Sequence, residues 1–270
     1  MNKYKGKVAI ITGSSRGIGK AIALKLANEG VSIVLNGRNQ ERLDEAKIEV
    51  EKITPNVIAY RCDVSDSVAS ENLIKAAVNK FGRLDILVNN VGVSNRGTVE
   101  ESKPEVFKRV FESNVLGSVN PTIPALPHLK KNKGSLIFIS SLAGIRGLPN
   151  LGAYCSSKMA LRAIAESIRI EEYESKMHVG LIYVGITEIE HKKESIAADG
   201  KPVVLQDRGD KKVQSMEYVA KKVFQNIKKR KFITTLSTIG KLNAFLQPRL
   251  PWLVEKIIIK ASKKFEERSK

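Results

Sequence analysis

The chain has 270 residues, 42% of them apolar and 6% aromatic, which is ordinary for a globular protein with a large buried core. Its only two cysteines, Cys62 and Cys155, exclude a disulfide framework and suit a reducing compartment. No apolar run approaches the roughly 20 residues that span a bilayer, and no signal-type stretch precedes the first apolar segment. We therefore expect a cytoplasmic protein.

The formal net charge of +18 is unevenly distributed along the chain. Residues 201–270 hold 18 Lys and Arg against 6 Asp and Glu, so two thirds of the positive excess lies in the last quarter. Such a basic surface suits an acidic or membrane partner. No nucleic-acid partner is expected, because no recognition motif accompanies the charge, and no metal site is predicted.

Six short apolar runs rich in β-branched residues predict strands that are buried on both faces. These runs are KVAII (7–11), SIVL (32–35), VIAY (57–60), LDILV (84–88), SLIFI (135–139) and VGLIYV (179–184). Amphipathic stretches between them, such as IGKAIALKLANEG, predict helices. The alternation predicts an α/β fold, a single domain over residues 1–236 with a doubly wound, mostly parallel sheet of Rossmann type.

The alternation ends after the sixth run. Residues 188–213 are polar, contain two glycines and a proline, and are too irregular to predict an element, so we expect them to form a lid. A helix over about 216–229 and an edge strand, KFITT, are predicted to follow. Residues 237–270 are interpreted as a basic helical extension.

The first predicted strand leads into TGSSRGIG, residues 12–19, and then into a helix. Gly13, Gly17 and Gly19 allow a tight turn and let a pyrophosphate approach the N–H groups at the start of that helix. In this position of a doubly wound pattern, the loop predicts a dinucleotide site.

A second motif, AYCSSKMAL at 153–161, places Tyr154 four positions before Lys158 on one helical face. A free tyrosine has a pKa near 10, which is too high for efficient proton transfer at neutral pH. A lysine one turn away favours the phenolate and lowers that pKa. Taken alone, however, the same spacing is common in ordinary helices.

Several motifs together resemble the short-chain dehydrogenase/reductase family. They are TGSSRGIG, NNVG at 89–92, Asn114, the serine pair at 140–141 and YCSSK at 154–158, in the family's order and at its usual intervals. The resemblance covers roughly residues 5–190. It indicates that the tyrosine–lysine pair is catalytic rather than an incidental pair on a helix.

The resemblance implies a catalytic set of Asn114, Ser141, Tyr154 and Lys158. Tyr154 would exchange a proton with the substrate oxygen, which Ser141 would hold. Asn114 would support a water that links Lys158 to solvent. The neighbouring Ser140 is expected only to support the loop.

The resemblance also implies a nicotinamide cofactor and a set of residues that contact it. They are Gly13, Ser15, Arg16, Gly17, Ile18, Gly19, Arg38, Asp63, Val64, Asn90, Gly92, Tyr154, Lys158, Gly185 and Thr187. Gly37 stands where NAD-preferring members carry an acid at the end of the second strand. Two cations, Arg16 and Arg38, suit a 2′-phosphate instead, which predicts NADP(H).

The sequence departs from the family pattern in three places. The Pro-Gly expected after the sixth strand is Val184-Gly185, and the expected threonine nearby is Ile189. Pro121 and Pro124 are expected to interrupt the helix that many members use for dimerisation, because proline removes a backbone hydrogen bond. A homo-oligomer, dimer or tetramer, is still the expectation from the family.

The end of the chain, LPWLVEKIIIKASKKFEERSK from Leu250, is predicted to be an amphipathic helix. Its apolar positions share one face: Leu253, Val254, Ile257, Ile258, Ala261 and Phe265. Its lysines lie elsewhere: Lys256, Lys260, Lys263 and Lys264. The helix either docks on the protein or lies on an anionic membrane with Trp252 at its edge.

The sequence therefore predicts an NADP(H)-dependent oxidoreductase that interconverts a carbonyl and a secondary alcohol in a small-molecule substrate. One alternative is a 3-oxoacyl-(acyl carrier protein) reductase, whose acidic carrier would suit the basic surface. A second is a membrane-associated lipid ketone reductase, and a third is a non-catalytic cofactor-binding regulatory protein. The substrate is not predicted, because function does not follow from architecture.

Overall fold

The computed structural model describes residues 3–188, 194–205 and 213–267, with the side chains of the last helix described as far as residue 261. The strands are β1 (Val8–Ile11), β2 (Ser32–Gly37), β3 (Val57–Arg61), β4 (Ile86–Asn89), β5 (Ser135–Ser141), β6 (His178–Val184), β7 (Glu194–Ile196), β8 (Pro202–Val204) and β9 (Ile233–Thr235). The helices are α1 (Gly17–Asn28), α2 (Gln40–Glu51), α3 (Ser67–Phe81), α4 (Pro104–Phe111), α5 (Gly117–Lys131), α6 (Gly152–Glu171), α7 (Met216–Lys229), α8 (Thr238–Leu246) and α9 (Pro251–Glu267).

Seven of these strands form one parallel sheet in the order β3-β2-β1-β4-β5-β6-β9. The six predicted strands and the predicted edge strand are all present, and the doubly wound Rossmann-type fold is confirmed. The strand order reverses between β1 and β4. In open parallel sheets, ligands bind at the carboxyl edge beside such a reversal.

The sheet is covered on both faces, as the unbroken apolar strands predicted. Ile22 of α1 and Val223 of α7 belong to one apolar cluster. Leu129 of α5 and Leu161 of α6 belong to the other. Because both faces are buried, the sheet edges and the loops at the strand ends are the parts of this domain that remain open to a ligand.

The prediction that prolines interrupt the helix after Asn114 is wrong. α5 runs without a break over Gly117–Lys131, although Pro121, Pro124 and Pro127 lie inside it. Pro121, Ala125 and Leu129 recur every four residues and are buried. A proline costs the helix a backbone hydrogen bond, but its φ angle is compatible with a helix. Burial of this apolar face stabilises the helix despite the lost hydrogen bonds.

The described residues 194–205, part of the segment that was predicted to form a lid, are more regular than the sequence predicted. Within this range, β7 and β8 form an antiparallel hairpin. The hairpin is tied to the loop after β4, because Arg96 N donates to Ile196 O at 2.7 Å. Arg109 Nη1 donates to Gly200 O at 2.6 Å and fixes the hairpin to α4. These long-range bonds hold a hairpin whose two strands are too short to be predicted from the sequence pattern.

The predicted helix over about 216–229 is confirmed as α7, and the basic extension contains two helices rather than one. Val254 is buried, whereas Trp252 and Ile257 are exposed, so α9 both packs on the protein and presents apolar side chains outward. Lys263, Lys264 and Phe265 lie outside the described side chains. No helix in the described residues is long and apolar enough to cross a membrane.

The buried His178, the first residue of β6, should make the stability of the fold depend on pH. Its ring is buried, with Nδ1 3.2 Å from Ser135 Oγ and Nε2 2.9 Å from Lys231 O. Because a carbonyl only accepts, Nε2 carries the hydrogen and Nδ1 accepts from the hydroxyl. Burial, with a smaller contribution from the charge of Arg230, lowers the pKa of His178 to about 4.

A His pKa below its unfolded value contributes stability that is present above pH 6.5 and is lost as the pH falls toward 4. We expect this group to lower the free energy of unfolding by up to about 3 kcal/mol over that window. In urea unfolding at pH 7 and pH 4.5, His178→Gln should lose less stability than the native chain. His128→Gln is the control, and equal losses in all three proteins would contradict the assignment.

Candidate active site

The predicted site residues converge at the carboxyl edge of the sheet. Gly13 follows β1, Asn90 follows β4, Ser141 ends β5 and Gly185 follows β6. Because neighbouring parallel strands end at the same edge, the fold brings together residues that are far apart in sequence.

The glycine loop between β1 and α1 has the close geometry that its sequence predicts. Gly13 (φ +61°) and Gly17 (φ +58°) are left-handed, a conformation that glycine adopts readily. A Cβ on Gly19 would overlap the carbonyl oxygen of Gly13. Asn90 Nδ2 donates to Thr12 O at 3.0 Å and to Gly13 O at 3.1 Å, which fixes the loop against the end of β4.

The start of α1 presents backbone N–H groups to the loop. Arg16 occupies the N-cap position in an extended conformation and makes no side-chain capping bond to the helix. Ile18 packs on the apolar core and Ser15 is half-buried. This helix start has the backbone arrangement that favours anions.

A pair of charged residues lies beyond the end of β2. Arg38 Nη1 is 3.2 Å from Asp63 Oδ2, and the Arg38 side chain is 74% exposed. Burial alone would raise the pKa of Asp63, but hydrogen bonds from Ser65 and Arg38 outweigh it and hold that pKa below its usual value. The sequence assigned separate cofactor contacts to Arg38 and Asp63, and it did not predict their ion pair.

Asn36 is a structural residue of the site that the sequence analysis missed. Its Oδ1 accepts from Gly13 N at 3.3 Å, and its Nδ2 donates to Cys62 O at 3.2 Å. It thus connects the glycine loop to the segment of Asp63 and the buried Val64. A polar residue inside the apolar run SIVLNG was the available signal.

Asn114 lies at the centre of a π-helical turn, Glu112–Leu116, that joins α4 to α5. It is buried, and its Oδ1 accepts from Val93 N at 2.7 Å. Its Nδ2 donates to Val93 O and to Ser157 Oγ, both at 2.9 Å. Single π turns are frequent at functional sites, and this one fixes the loop after β4 to α6.

Tyr154 and Lys158 lie in the first two turns of α6. Lys158 Nζ is 5.9 Å from the centre of the Tyr154 ring and donates to Ile139 O at 3.0 Å. A Cβ on Gly92 would lie 3.1 Å from both Lys158 Nζ and Asn114 Oδ1. Glycine at this position therefore leaves room for the lysine and the asparagine to approach the same point.

Asn95 is a second residue that the sequence analysis missed. It is buried, and its Oδ1 accepts from Tyr154 N at 2.9 Å. Leu151, the N-cap of α6, makes no side-chain cap, so Asn95 satisfies one backbone N–H from a distant loop. Asn95 also forms a β-bridge with Ile196 of β7, which links the hairpin of β7 and β8 to the start of α6.

The two serines at the end of β5 make different contacts. Ser141 Oγ accepts from Ala143 N at 3.2 Å and caps the short turn Leu142–Gly144. The buried Ser140 Oγ donates to Lys158 O at 3.2 Å. Ser140 thus joins the end of β5 to α6.

The segment after β6 is described only in part. A Cβ on Gly185 would lie 3.2 Å from Gln214 Oε1, so this glycine lies close to the segment that precedes α7. Thr187 forms a β-bridge with Gln214. Ile189, one of the three departures from the family pattern, lies outside the described residues.

The sequence of the chain is similar to those of known oxidoreductases. Residues 7–200 match the family model of the short chain dehydrogenases. An uncharacterized oxidoreductase of Methylorubrum extorquens is 39% identical over 71% of this chain and 78% of its own length. The 3-ketodihydrosphingosine reductase of Bos taurus is also 39% identical, over 66% of this chain, but the match spans only 55% of that protein.

One solved structure is similar to the chain in fold and, to a lesser degree, in sequence. It is an alcohol dehydrogenase from the archaeon Thermococcus sibiricus, complexed with 5-hydroxy-NADP, with a TM-score of 0.74 and 28% identity. The match covers 85% of this chain and 94% of that one. From the family model, the relatives and the fold together, the chain belongs to the short-chain dehydrogenase/reductase family of oxidoreductases.

Proposed function

We propose that the protein is an NADP(H)-dependent oxidoreductase that interconverts a carbonyl and a secondary alcohol. The observation that carries the proposal is the close approach of Lys158 to Tyr154 and Gly92 at the carboxyl edge of the sheet. A positive charge held beside a phenol favours the phenolate. Tyr154 can then give a proton to the substrate oxygen or take one from it.

The other polar groups of the site have supporting roles in this proposal. Ser141, at the end of β5, orients the substrate oxygen through its hydroxyl. Asn114 holds Val93 and Ser157 and so keeps α6 against the loop after β4. It also supports a water that connects Lys158 to solvent.

The glycine loop fits a dinucleotide, because it turns at the left-handed Gly13 and Gly17 and leads directly into the N–H groups at the start of α1. Close packing around the loop supports the same geometry. A Cβ on Gly37 would lie 3.1 Å from Ser15. The residues that would hold the cofactor are Gly13, Ser15, Arg16, Gly17, Ile18, Gly19, Arg38, Asp63, Val64, Asn90, Gly92, Tyr154, Lys158, Gly185 and Thr187. When bound, a nicotinamide cofactor supplies or accepts the hydride.

The preference for NADP(H) over NAD(H) is supported by charge and space at the end of β2. Gly37 offers no carboxylate for the ribose, and the exposed guanidinium of Arg38, which pairs with Asp63, is of the kind that forms strong charge-assisted bonds to phosphate. Arg16, at the N-cap of α1, adds a second cation. The Thermococcus sibiricus relative was solved with an NADP derivative.

We expect Arg38→Asp to weaken NADPH binding by about tenfold or more, because a charge-assisted bond is lost and a repelling carboxylate appears beside Asp63. NADH binding should change much less. The dissociation constants of both cofactors, measured by fluorescence titration, test this difference.

Lys80→Asp is the matched control, since it makes the same change of charge at the exposed end of α3. It should leave both dissociation constants unchanged. Equal losses of NADPH and NADH affinity in Arg38→Asp would show that this residue does not read the 2′-phosphate.

The lipid ketones are the substrate class that we favour, because the bovine relative is named a 3-ketodihydrosphingosine reductase. The basic surface supports 3-oxoacyl carrier substrates as the second candidate. NADPH oxidation assayed with long-chain ketones, 3-oxoacyl thioesters and steroids separates these classes. Tight NADPH binding with no turnover on any of them would favour a regulatory protein instead.

We also propose that the protein forms a homo-oligomer, dimer or tetramer. The unbroken α5 supports this proposal, because family members use this helix for dimerisation. Ile123 within α5 and Leu116 just before it are exposed apolar side chains. Light scattering of the purified protein should give a mass of two or four chains, and a monomer would contradict the proposal.

A further inference from the structure

The C-terminal helices α8 and α9 expose an unusual amount of apolar surface. Within residues 239–259, seven large apolar side chains are exposed: Ile239, Leu242, Phe245, Leu250, Trp252, Ile257 and Ile259. Ile239 is 81% exposed and Trp252 is 57% exposed. Scattered exposed apolar residues are normal, but a concentration of this size marks an interaction surface.

On α8 the exposed apolar residues recur every three positions, at Ile239, Leu242 and Phe245, and form a stripe along one side. The opposite side is fixed to the body of the protein. Gly240 is buried against Leu142, which leaves no space for a Cβ, and Ser237 Oγ accepts from Gly240 N. The stripe therefore faces outward from a docked helix.

Positive charge surrounds this apolar surface. Residues 238–261 carry Lys241, Arg249, Lys256 and Lys260, against Glu255 as the one acidic residue. A groove beside β9 adds Lys222, Lys229 and Lys231. Such a combination of apolar side chains and cations is complementary to a surface that is apolar beneath and anionic above.

Two contacts hold cations directly against exposed aromatic rings. Arg249 Cζ lies 4.1 Å from the centre of the Phe245 ring, and Lys256 Nζ lies 5.4 Å from that of Trp252. With the rings in the outer acyl layer, the cations would be at the level of the headgroups, because long basic side chains reach from apolar surroundings to the interface.

We propose that the surface formed by α8 and the described part of α9 docks on an anionic phospholipid bilayer. A second copy of the chain fits it less well, since a twofold contact would place this positively charged patch against itself. Because Gly240 contacts Leu142, and Leu142 follows Ser141, docking would hold the turn Leu142–Gly144 close to the lipid. The contact itself does not depend on the proposed reaction.

Sedimentation of the full-length protein with vesicles tests the proposal. The protein should bind phosphatidylcholine vesicles that contain phosphatidylglycerol at low salt, less at high salt, and bind pure phosphatidylcholine poorly. The fluorescence of Trp252, the chain's single tryptophan, should shift to the blue on binding. Absence of binding to the anionic vesicles would overturn the proposal.

The apolar part of the surface is tested by replacing Ile239, Leu242 and Phe245 together with Ser. This variant should lose about tenfold or more in vesicle affinity, since three apolar side chains no longer enter the bilayer. The matched control replaces three equally exposed residues on other helices with Ser: Ile48, Val68 and Ile170. Equal affinities of the two variants would overturn the proposal.

The basic part is tested by replacing Lys241, Arg249 and Lys256 with Glu, against the same replacement of three exposed lysines elsewhere. The control positions are Lys52, Lys80 and Lys131. Affinity should fall by about fivefold or more for each reversed charge in the first variant, and much less in the second. Equal losses would mean that the net charge of the protein alone drives binding. That result would overturn the proposal that the surface of α8 and α9 is the docking site.

The same variants distinguish a lipid surface from a second copy of the chain. If the Ser variant of the α8 stripe dissociates an oligomer in light scattering and the native protein does not bind vesicles, the surface is a protein interface. The proposal predicts the reverse, with the mass unchanged by the substitutions and vesicle binding lost.

Discussion

Tyr154→Phe should lower turnover by about 10²–10⁴-fold while the affinity for NADPH stays nearly unchanged. The substitution removes the phenolic oxygen and keeps the ring that lies near Lys158. The backbone N–H of this residue still donates to Asn95, so the start of α6 should keep its position. Turnover on an accepted ketone and a separate NADPH titration measure the two quantities.

Tyr173→Phe is the control for this substitution, because Tyr173 is exposed beyond the end of α6. It should leave turnover and stability unchanged. Near-normal turnover in Tyr154→Phe would contradict the proposed general acid and base. Loss of NADPH binding would instead show that the phenol mainly holds the cofactor.

Gly19→Ala should raise the dissociation constant for NADPH by about a hundredfold and destabilise the protein by about 1–3 kcal/mol. The new Cβ would overlap the carbonyl oxygen of Gly13, which is backbone and moves only with the whole loop. It would also lie 2.6 Å from Asn90 Nδ2, the group that fixes the loop to β4. Cofactor titration and thermal unfolding without cofactor measure the two effects.

Gly147→Ala is the matched control, because a Cβ at Gly147 meets nothing within 4 Å and the residue is not left-handed. It should leave both quantities close to those of the native chain. A Gly19→Ala protein with native NADPH affinity would show that the cofactor does not need the close turn between β1 and α1.

The strands of the main sheet, the fold and the family were predictable from the sequence for a local reason. Strands buried on both faces need unbroken apolar runs, and glycines in TGSSRGIG are required by backbone geometry within eight residues. α7 could be predicted in the same way, because Met216–Lys229 has its own apolar period and a Ser215 cap. Each of these features is encoded by residues that are close in sequence.

The sequence pattern failed where long-range packing outweighs local preference. Three prolines in α5 are tolerated because its face with Ala125 and Leu129 is buried. The hairpin of β7 and β8 is held by bonds to Arg96 and Arg109, far away in the chain. Both effects depend on partners that are distant in the sequence, so neither could be predicted from the segment alone.

The motifs determined which residues form the candidate site, whereas the tertiary structure determined what holds them. TGSSRGIG was identified from its glycine spacing, whereas Ser141 and the Tyr154–Lys158 pair were assigned through their resemblance to the family's motifs. The bond from Tyr154 N to Asn95 and the ion pair of Arg38 with Asp63 join residues 59 and 25 positions apart. Such contacts depend on which strand ends lie side by side, and that order is set by the packing of the whole sheet rather than by any local stretch of the chain.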